Sequence, residues 1–333
     1  MPEPAQPTVS ILVAARNEET AILACLRALD RLQYPTDRLD VLIGDDGSTD
    51  GTAALVSAFI TDKPQFRLLP VQPHRNGLAG KANVLAQLAE SARGQYLFFT
   101  DADTQVPPNW ITTLLADWPA SVGIATGVTM PDGPRPFHRL QGLDWLYNLT
   151  LTYLAGRLGL PITAMGNNMA VSRGAYEAVG GYAALPFSVV EDYTLFRAIV
   201  AKGYGFRSRL EPGVLARTLP VDTLPAFLNQ RKRWMRGAMQ LPGWIVAALF
   251  VQYLILPLFL GLGWLAPVPA LTLYLIRLAL QSAVLLTGLV RVGQTHRWPY
   301  VLLFEVYQLV IGPLAVLYYS LPTQITWKGR QYT

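Results

Sequence analysis

Few residues in this chain of 333 could staple or charge it. Its single cysteine, Cys25, excludes a disulfide scaffold and fits a reducing compartment. The three histidines show no zinc-ligand spacing, and no Ser/His/Asp signature stands out. Charged residues make up 15% and the net charge is +5, with no basic surface extensive enough for nucleic acid. The opening MPEPAQPT has no basic segment and the apolar run at 9–15 is short, so no secretory signal peptide is expected. Internal repeats and low-complexity blocks are missing too. What the chain has in excess is apolar surface, with 51% hydrophobic residues and a mean hydropathy of +0.28. That suffices to offset the entropy of ordering and excludes disorder for the bulk of the chain.

The excess is C-terminal. Residues 244–265 carry no charge, 268–290 carry only Arg277, and 300–321 only Glu305. Each is long enough to cross a hydrocarbon core of roughly 30 Å. Trp244, Trp264, Trp298 and Tyr300 lie near the expected ends, where aromatic rings favour the interface. The other reading is a set of helices buried in a soluble core. Arg231, Lys232, Arg233 and Arg236 precede the first span and point to a cytoplasmic flank, as do Arg291 and Arg297 between the second and third. Three crossings would leave Lys328 and Arg330 outside, so one segment could instead be interfacial or re-entrant, with Pro257 and Pro313 as break points. Arg277 and Glu305 are expected to pair, since either charge alone would be costly in that setting.

Residues 8–240 alternate strand and helix: strands at 9–14, 41–44, 67–71 and 96–100, and helices at 19–32, 52–60 and 81–92, with Asn17 and Ser48 or Asp50 as caps. This order predicts a mostly parallel, doubly wound sheet, in which ligands bind beyond the carboxyl ends of the strands. Polar clusters follow those ends. Asp45 to Gly51 is either a capped strand-to-helix turn or a pair of carboxylates for a uracil imide or ribose hydroxyl. Asp101 and Asp103 form a D-x-D, which is either a solvated loop or a hard-oxygen site for Mg²⁺ or Mn²⁺. Glu191 and Asp192 open a helix at 193–202, where acidic residues suit the dipole and one could act as a general base. Gln230 and Trp234 share a helix face next to Arg233, either as a charged flank of the membrane or as a diphosphate and sugar contact. Lys81 follows Gly80 outside any P-loop spacing. The aromatic stretch 140–154 could lie against a bilayer or face a core.

Taken in order, residues 13–19, 45–52, 80–88, 101–104, 166–173, 191–192 and 230–234 resemble the family 2 glycosyltransferases, inverting enzymes of the GT-A type. The ending at 326–330 also resembles that of some membrane-bound members. The resemblance implies an α/β, Rossmann-like GT-A nucleotide-sugar-binding domain at 1–240, cytoplasmic, followed by multi-pass transmembrane helices within 241–325 and a tail at 326–333. It implies a nucleoside pocket of Ala14, Glu18 and Asp46, although the first motif usually has proline where Ala14 stands. Lys81 and Asp101 would sit near the nucleotide, with Asp103 as the main ligand of a divalent ion and Asp101 beside it. Asp192 would be the base, Arg233 would meet the diphosphate, and Gln230, Trp234 and Asn168 would lie on the acceptor side. The expected activity is hexose transfer, from UDP-hexose by resemblance, to a membrane lipid such as a diacylglycerol, a ceramide-like lipid or a hydroxylated carotenoid. The alternative is a processive polysaccharide synthase, whose channel a homo-oligomer or partner subunit could complete. A catalytically silent nucleotide-sugar-binding subunit is the remote third reading, against which the intact carboxylates speak.

Overall fold

The structure is a computed structural model and describes residues 6–73, 77–188, 190–327 and 330–332. Two compact units result, the first formed by Met1–Thr129 with Thr152–Thr218, the second by Met130–Leu151 with Leu219–Thr333.

In the first unit the chain runs β1 (Val9–Ala15), α1 (Ile22–Asp30), β2 (Leu39–Asp45), α2 (Thr52–Ile60), β3 (Phe66–Pro70), α3 (Gly80–Ser91) and β4 (Tyr96–Asp101). Short β5 (Thr104–Gln105) and α4 (Trp110–Leu115) follow, then β6 (Val122–Thr126). β7 (Val128–Pro131) and α5 (Pro136–Arg157) carry the chain into the second unit and back. β8 (Met169–Ser172), α6 (Arg173–Ala178), α7 (Gly181–Ala184), α8 (Glu191–Ala201), β9 (Gly205–Ser208) and β10 (Leu215–Thr218) complete the unit. Seven strands form one sheet in the order β3-β2-β1-β4-β8-β6-β9. Its middle strands are near-continuous apolar runs because both faces are covered: Ile11, Leu12, Val13, Leu97, Phe98 and Phe99 are all fully buried.

The β-α order expected from the sequence is present, with each boundary within about three residues, the usual uncertainty of element ends. The direction of one strand matters for the site. The sheet is mostly parallel, as expected, and β8 is the strand that runs antiparallel, to both β4 and β6. Phe99 pairs with Met169, so residues 166–168 arrive at the carboxyl edge of β4 instead of leaving from the opposite one. Asn17 is not a helix cap. It takes a left-handed backbone, φ 52°, a conformation that asparagine tolerates, and its side chain serves a neighbouring loop.

The second unit holds α9 (Leu224–Ala238), α10 (Gly243–Tyr253), α11 (Ile255–Leu265), α12 (Pro267–Arg291) and α13 (Tyr300–Ser320), then the hairpin β11 (Ile325–Trp327) and β12 (Arg330–Tyr332). Lys328 and Gly329 of the C-terminal motif lie outside the described residues. α12 and α13 are long and apolar enough to cross a membrane. The segment at 244–265 is broken at Leu254, where α10 and α11 meet at 72°. Pro257 sits in the first turn after that break, whereas Pro313 lies inside an uninterrupted α13. The expected Arg277–Glu305 pair forms, and Gln281 and Tyr274 join it: Tyr274 donates to Glu305 Oε1 at 2.8 Å and Gln281 Nε2 to Oε2 at 2.8 Å. Arg277 and Glu305 are thereby hydrogen-bonded, as burial demands.

Candidate functional site

The carboxyl edge of the sheet in the first unit is built by two loops that bind each other. After β1, Asn17 N–H donates to Ser48 Oγ at 2.9 Å, and Asn17 Oδ1 accepts from Thr49 N–H at 2.8 Å. Glu18 N–H donates to Thr52 Oγ1 at 2.7 Å, and Glu19 accepts from Gly51 N–H at 2.9 Å. Asp50 Oδ1 in turn accepts from Thr52 N–H at 3.0 Å, closing the turn into α2. The two adjacent carboxylates have different work. Asp45 takes both the hydroxyl and the backbone N–H of Ser48, at 2.5 and 3.2 Å, and so shapes the turn. Asp46 is buried beside the end of β1, where its N–H donates to Ala15 O at 2.8 Å and its carbonyl accepts from Arg16. Ala14 pairs in register with Gly44 on one side and Asp101 on the other, so the expected nucleoside-side residues Ala14, Glu18 and Asp46 share this edge.

Beside them lies a charged cluster drawn from three distant segments. Lys81, in the first turn of α3, places Nζ 2.6 Å from Asp101 Oδ1 and 3.0 Å from Glu191 Oε1. Burial alone would depress the Lys81 pKa, but Asp101, Glu191 and Asp192 more than reverse that, and the ammonium stays charged. Asp103 lies two residues past β4 and accepts from Thr104 Oγ1 at 3.2 Å. Burial pushes its carboxyl up, and the Asp101 charge adds to the shift. Cys25 sits beneath, its Sγ 3.5 Å from the Asp101 carbonyl. Burial and the two aspartates push this thiol up as well, which makes it an inert core residue.

Asp192 opens α8 and accepts from Gly166 N–H at 2.7 Å through Oδ2 and from Tyr193 N–H at 2.8 Å through Oδ1. Residue 166 has to be glycine here, because a Cβ would stand 2.8 Å from that of Asp192. Burial first, then the neighbouring Glu191, pushes the Asp192 carboxyl up to about 6, while Lys81 and the two N–H groups pull it down. Such a carboxylate suits proton transfer near neutral pH.

Asn168, expected on the acceptor side, is fully buried with its amide committed. Oδ1 accepts from Trp110 Nε1 at 2.8 Å, and Nδ2 donates to the carbonyls of Val128 at 2.9 Å and Val214 at 2.8 Å. It is a clamp between segments, with no exposed group to offer an acceptor. Asn168→Ala orphans the Trp110 N–H, and unfolding in denaturant is expected to show a loss of about 1–3 kcal/mol for that donor alone.

Gln230, Arg233 and Trp234 lie together on α9 in the second unit, where Trp234 packs edge-on against Trp145 at 4.9 Å. Two neighbours do not behave as the flanking cations the sequence suggests. Arg231 is 4% exposed and paired with Asp144, stacked over Phe227 and Trp234. Lys232, equally buried, donates to Leu321 O and Thr323 Oγ1. Their partners lie some ninety residues away in sequence, beyond the reach of any local pattern.

The whole chain, residues 1–333, matches glycosyl transferase family 21. It is similar to the beta-monoglucosyldiacylglycerol synthase of Synechocystis sp., at 28% identity over 240 residues, which is 70% of this chain and 48% of that protein. An N-acetylglucosaminyltransferase of Neorhizobium galegae is 28% identical over 248 residues, 71% of this chain and 56% of its own length. The chain spans about half the length of these curated relatives. A solved mannosyltransferase from Pyrobaculum calidifontis, in complex with GDP-Man and Mn²⁺, aligns over 92% of this chain and 88% of that one, with a TM-score of 0.56 at 22% identity. At that identity the likeness speaks for the fold alone, and the fold is the GT-A type expected from the motifs. With carboxylates gathered at the sheet edge and a match that runs from end to end, the chain belongs to glycosyl transferase family 21.

Proposed function

We propose that the chain moves a hexose from a nucleotide sugar, a UDP-hexose by resemblance, to a hydroxyl of a membrane lipid, with inversion at the anomeric carbon. The observation that carries this reading is the cluster of Lys81, Asp101, Glu191 and Asp192 at one sheet edge, in a chain with two helices apolar enough for a bilayer. The lipid acceptor also agrees with the relatives named for a glucosyldiacylglycerol product.

Asp101 and Asp103 fit a divalent ion by their chemistry: two hard-oxygen groups, one pushed toward protonation by burial and by its neighbour's charge, which a cation would relieve. No group of three or more His, Cys, Asp or Glu stands ready for a metal among the described residues, so the remaining ligands would be diphosphate oxygens and water. When bound, Mg²⁺ or Mn²⁺ supplies positive charge against the departing diphosphate. Asp46 with Ala14 and Glu18 binds the nucleoside. Lys81 stays charged and holds Asp101 and Glu191 in register. Asp192, oriented by the Gly166 and Tyr193 N–H groups, takes the proton of the acceptor hydroxyl as its oxygen attacks the face opposite the leaving group. Arg233 adds charge at the diphosphate, and Gln230 and Trp234 meet the acceptor, on the motif resemblance. The protein is a multi-pass cell-membrane enzyme with its catalytic unit cytoplasmic.

The test is turnover of UDP-glucose and UDP-galactose by purified protein with Mn²⁺ and total membrane lipid extract, products resolved by mass. A lipid gaining one hexose is the expected result, lost on chelation of the ion. A ladder of soluble or extruded oligomers would favour the processive synthase, which the Gln230, Arg233 and Trp234 motif also suits. Silence with every nucleotide sugar tried would overturn both.

A further inference from the structure

α13 has the length and composition of a membrane span, yet both its ends are fastened to polar elements of its own unit. At its first residue, Tyr300 Oη accepts from Arg139 of α5 at 2.7 Å. Just before it, Arg297 pairs with Asp132 at 2.6 Å. Just past its last turn, the Leu321 carbonyl and Thr323 Oγ1 accept from Lys232 at the middle of α9, and the same ammonium lies over the Tyr318 ring. α5 and α9 are themselves joined on one side. Gln141 exchanges two hydrogen bonds with the Val221 backbone, at 2.8 and 3.0 Å, and His138 and Arg135 reach Asp222 one residue before the α9 cap.

A helix of 21 residues is about 30 Å long, the thickness of the hydrocarbon core. Were α13 to cross, its two ends would stand at opposite membrane faces, and α5 and α9, which hold those ends, would have to span the hydrocarbon core beside it. α9 turns Arg236 outward with Arg233 half-buried near it, and its 15 residues, about 22 Å of helix, are too short to bridge a hydrocarbon core. We infer that α13 lies in the plane of the membrane surface, packed by one face on α5 and α9 and, through Glu305 and Gly312, on α12 and α10, and set against one leaflet by the other. This rests on the membrane-anchored reading above.

The helix has the two faces that this requires. Phe304, Tyr307, Gln308, Ile311 and Ala315 are buried inward, while Leu303, Val306, Val310, Leu314, Leu317 and Leu321 form an exposed stripe at helical spacing. α10, α11 and α12 are then left as the hairpin that enters the bilayer. Its tip is strongly exposed and apolar, with Trp264, Leu265 and Val268 between 74% and 89% accessible. The segment after α13 thus returns to the side on which α9 lies, which also removes the conflict between three crossings and the cationic tail.

The test is labelling by a membrane-impermeant maleimide of single-cysteine variants in a Cys25→Ala full-length chain, in sealed right-side-out and inside-out vesicles. Ala226→Cys reports the α9 side, His296→Cys the segment before α13, and Gln324→Cys the segment after it; all three positions are exposed. The expected result is that all three label in one vesicle orientation and all lose labelling in the other. Gln324→Cys labelling in the orientation opposite to His296→Cys would overturn the in-plane helix while leaving the membrane anchor intact. A chain that fails to sediment with the vesicles would overturn the anchor itself.

Discussion

Asp192→Asn is expected to lower turnover by roughly 10²–10⁴-fold, the usual contribution of a general base, with little change in donor affinity. The amide keeps the size of the carboxylate and one oxygen to accept from Gly166 or Tyr193, so one of the two backbone hydrogen bonds that orient the residue is retained. What it loses is the capacity to take a proton. Turnover under saturating substrates and donor binding by direct titration separate the two effects. Donor affinity falling as far as turnover would make the residue a structural support instead. The pH profile adds an independent readout. Burial and Glu191 push the Asp192 carboxyl up to about 6. The base acts in its ionised form, so turnover should be full well above that value and fall about tenfold per unit below it. Asp103 is also pushed up, by burial and Asp101, but a cation bound there competes with the proton. Raising the Mn²⁺ concentration should therefore move the Asp103 contribution to lower pH and leave the Asp192 limb in place. The Asn variant should lack that limb.

The elements most legible in the sequence were those written in local patterns. β1, β2 and β4 are short apolar runs that end on polar clusters, and the rule that ligands gather beyond strand ends puts Asp46, Asp101 and Asp103 at one edge from the sequence alone. What periodicity does not carry is pairing over long separations. Lys81 bridges Asp101 and Glu191, residues 20 and 110 positions away, and only the folded chain brings them together. The Asn17, Ser48 and Thr49 exchange likewise reads, in each strand of text, as an ordinary capped turn. The antiparallel course of β8 explains how Gly166 reaches Asp192, and nothing in residues 169–172 announces its direction. Polar residues misled in both directions. Asn168 reads as a ligand group and is a buried clamp, whereas Arg231 and Lys232 read as a charged flank and are buried partners. A satisfied buried polar group and an exposed functional one have the same letter.

The largest stability effect is expected at that buried pair. Asp144 and Arg231 have side chains about 5% exposed, and burial pushes the Asp144 carboxyl up, with Arg231, Tyr307 and Asn148 pulling the other way. Charges taken this far out of water are repaid mainly by each other, so removing one strands its partner. Asp144→Leu and Arg231→Met are each expected to cost about 3–5 kcal/mol in thermal or denaturant unfolding in detergent. The double variant leaves no orphaned charge and keeps the apolar packing of Phe227, Trp145 and Trp234, so it should recover most of that loss. Full additivity of the two single costs would mean that the two side chains act independently, against the geometry. The same double variant separates stability from function. Arg231 stacks over Trp234, on the helix that also carries Gln230 and Arg233. If the pair serves only to seat that helix, the recovered fold should recover activity with it. A stable but inactive double variant would instead assign the buried guanidinium a part in orienting Trp234, since Met can fill the space over the indole but cannot supply its charge.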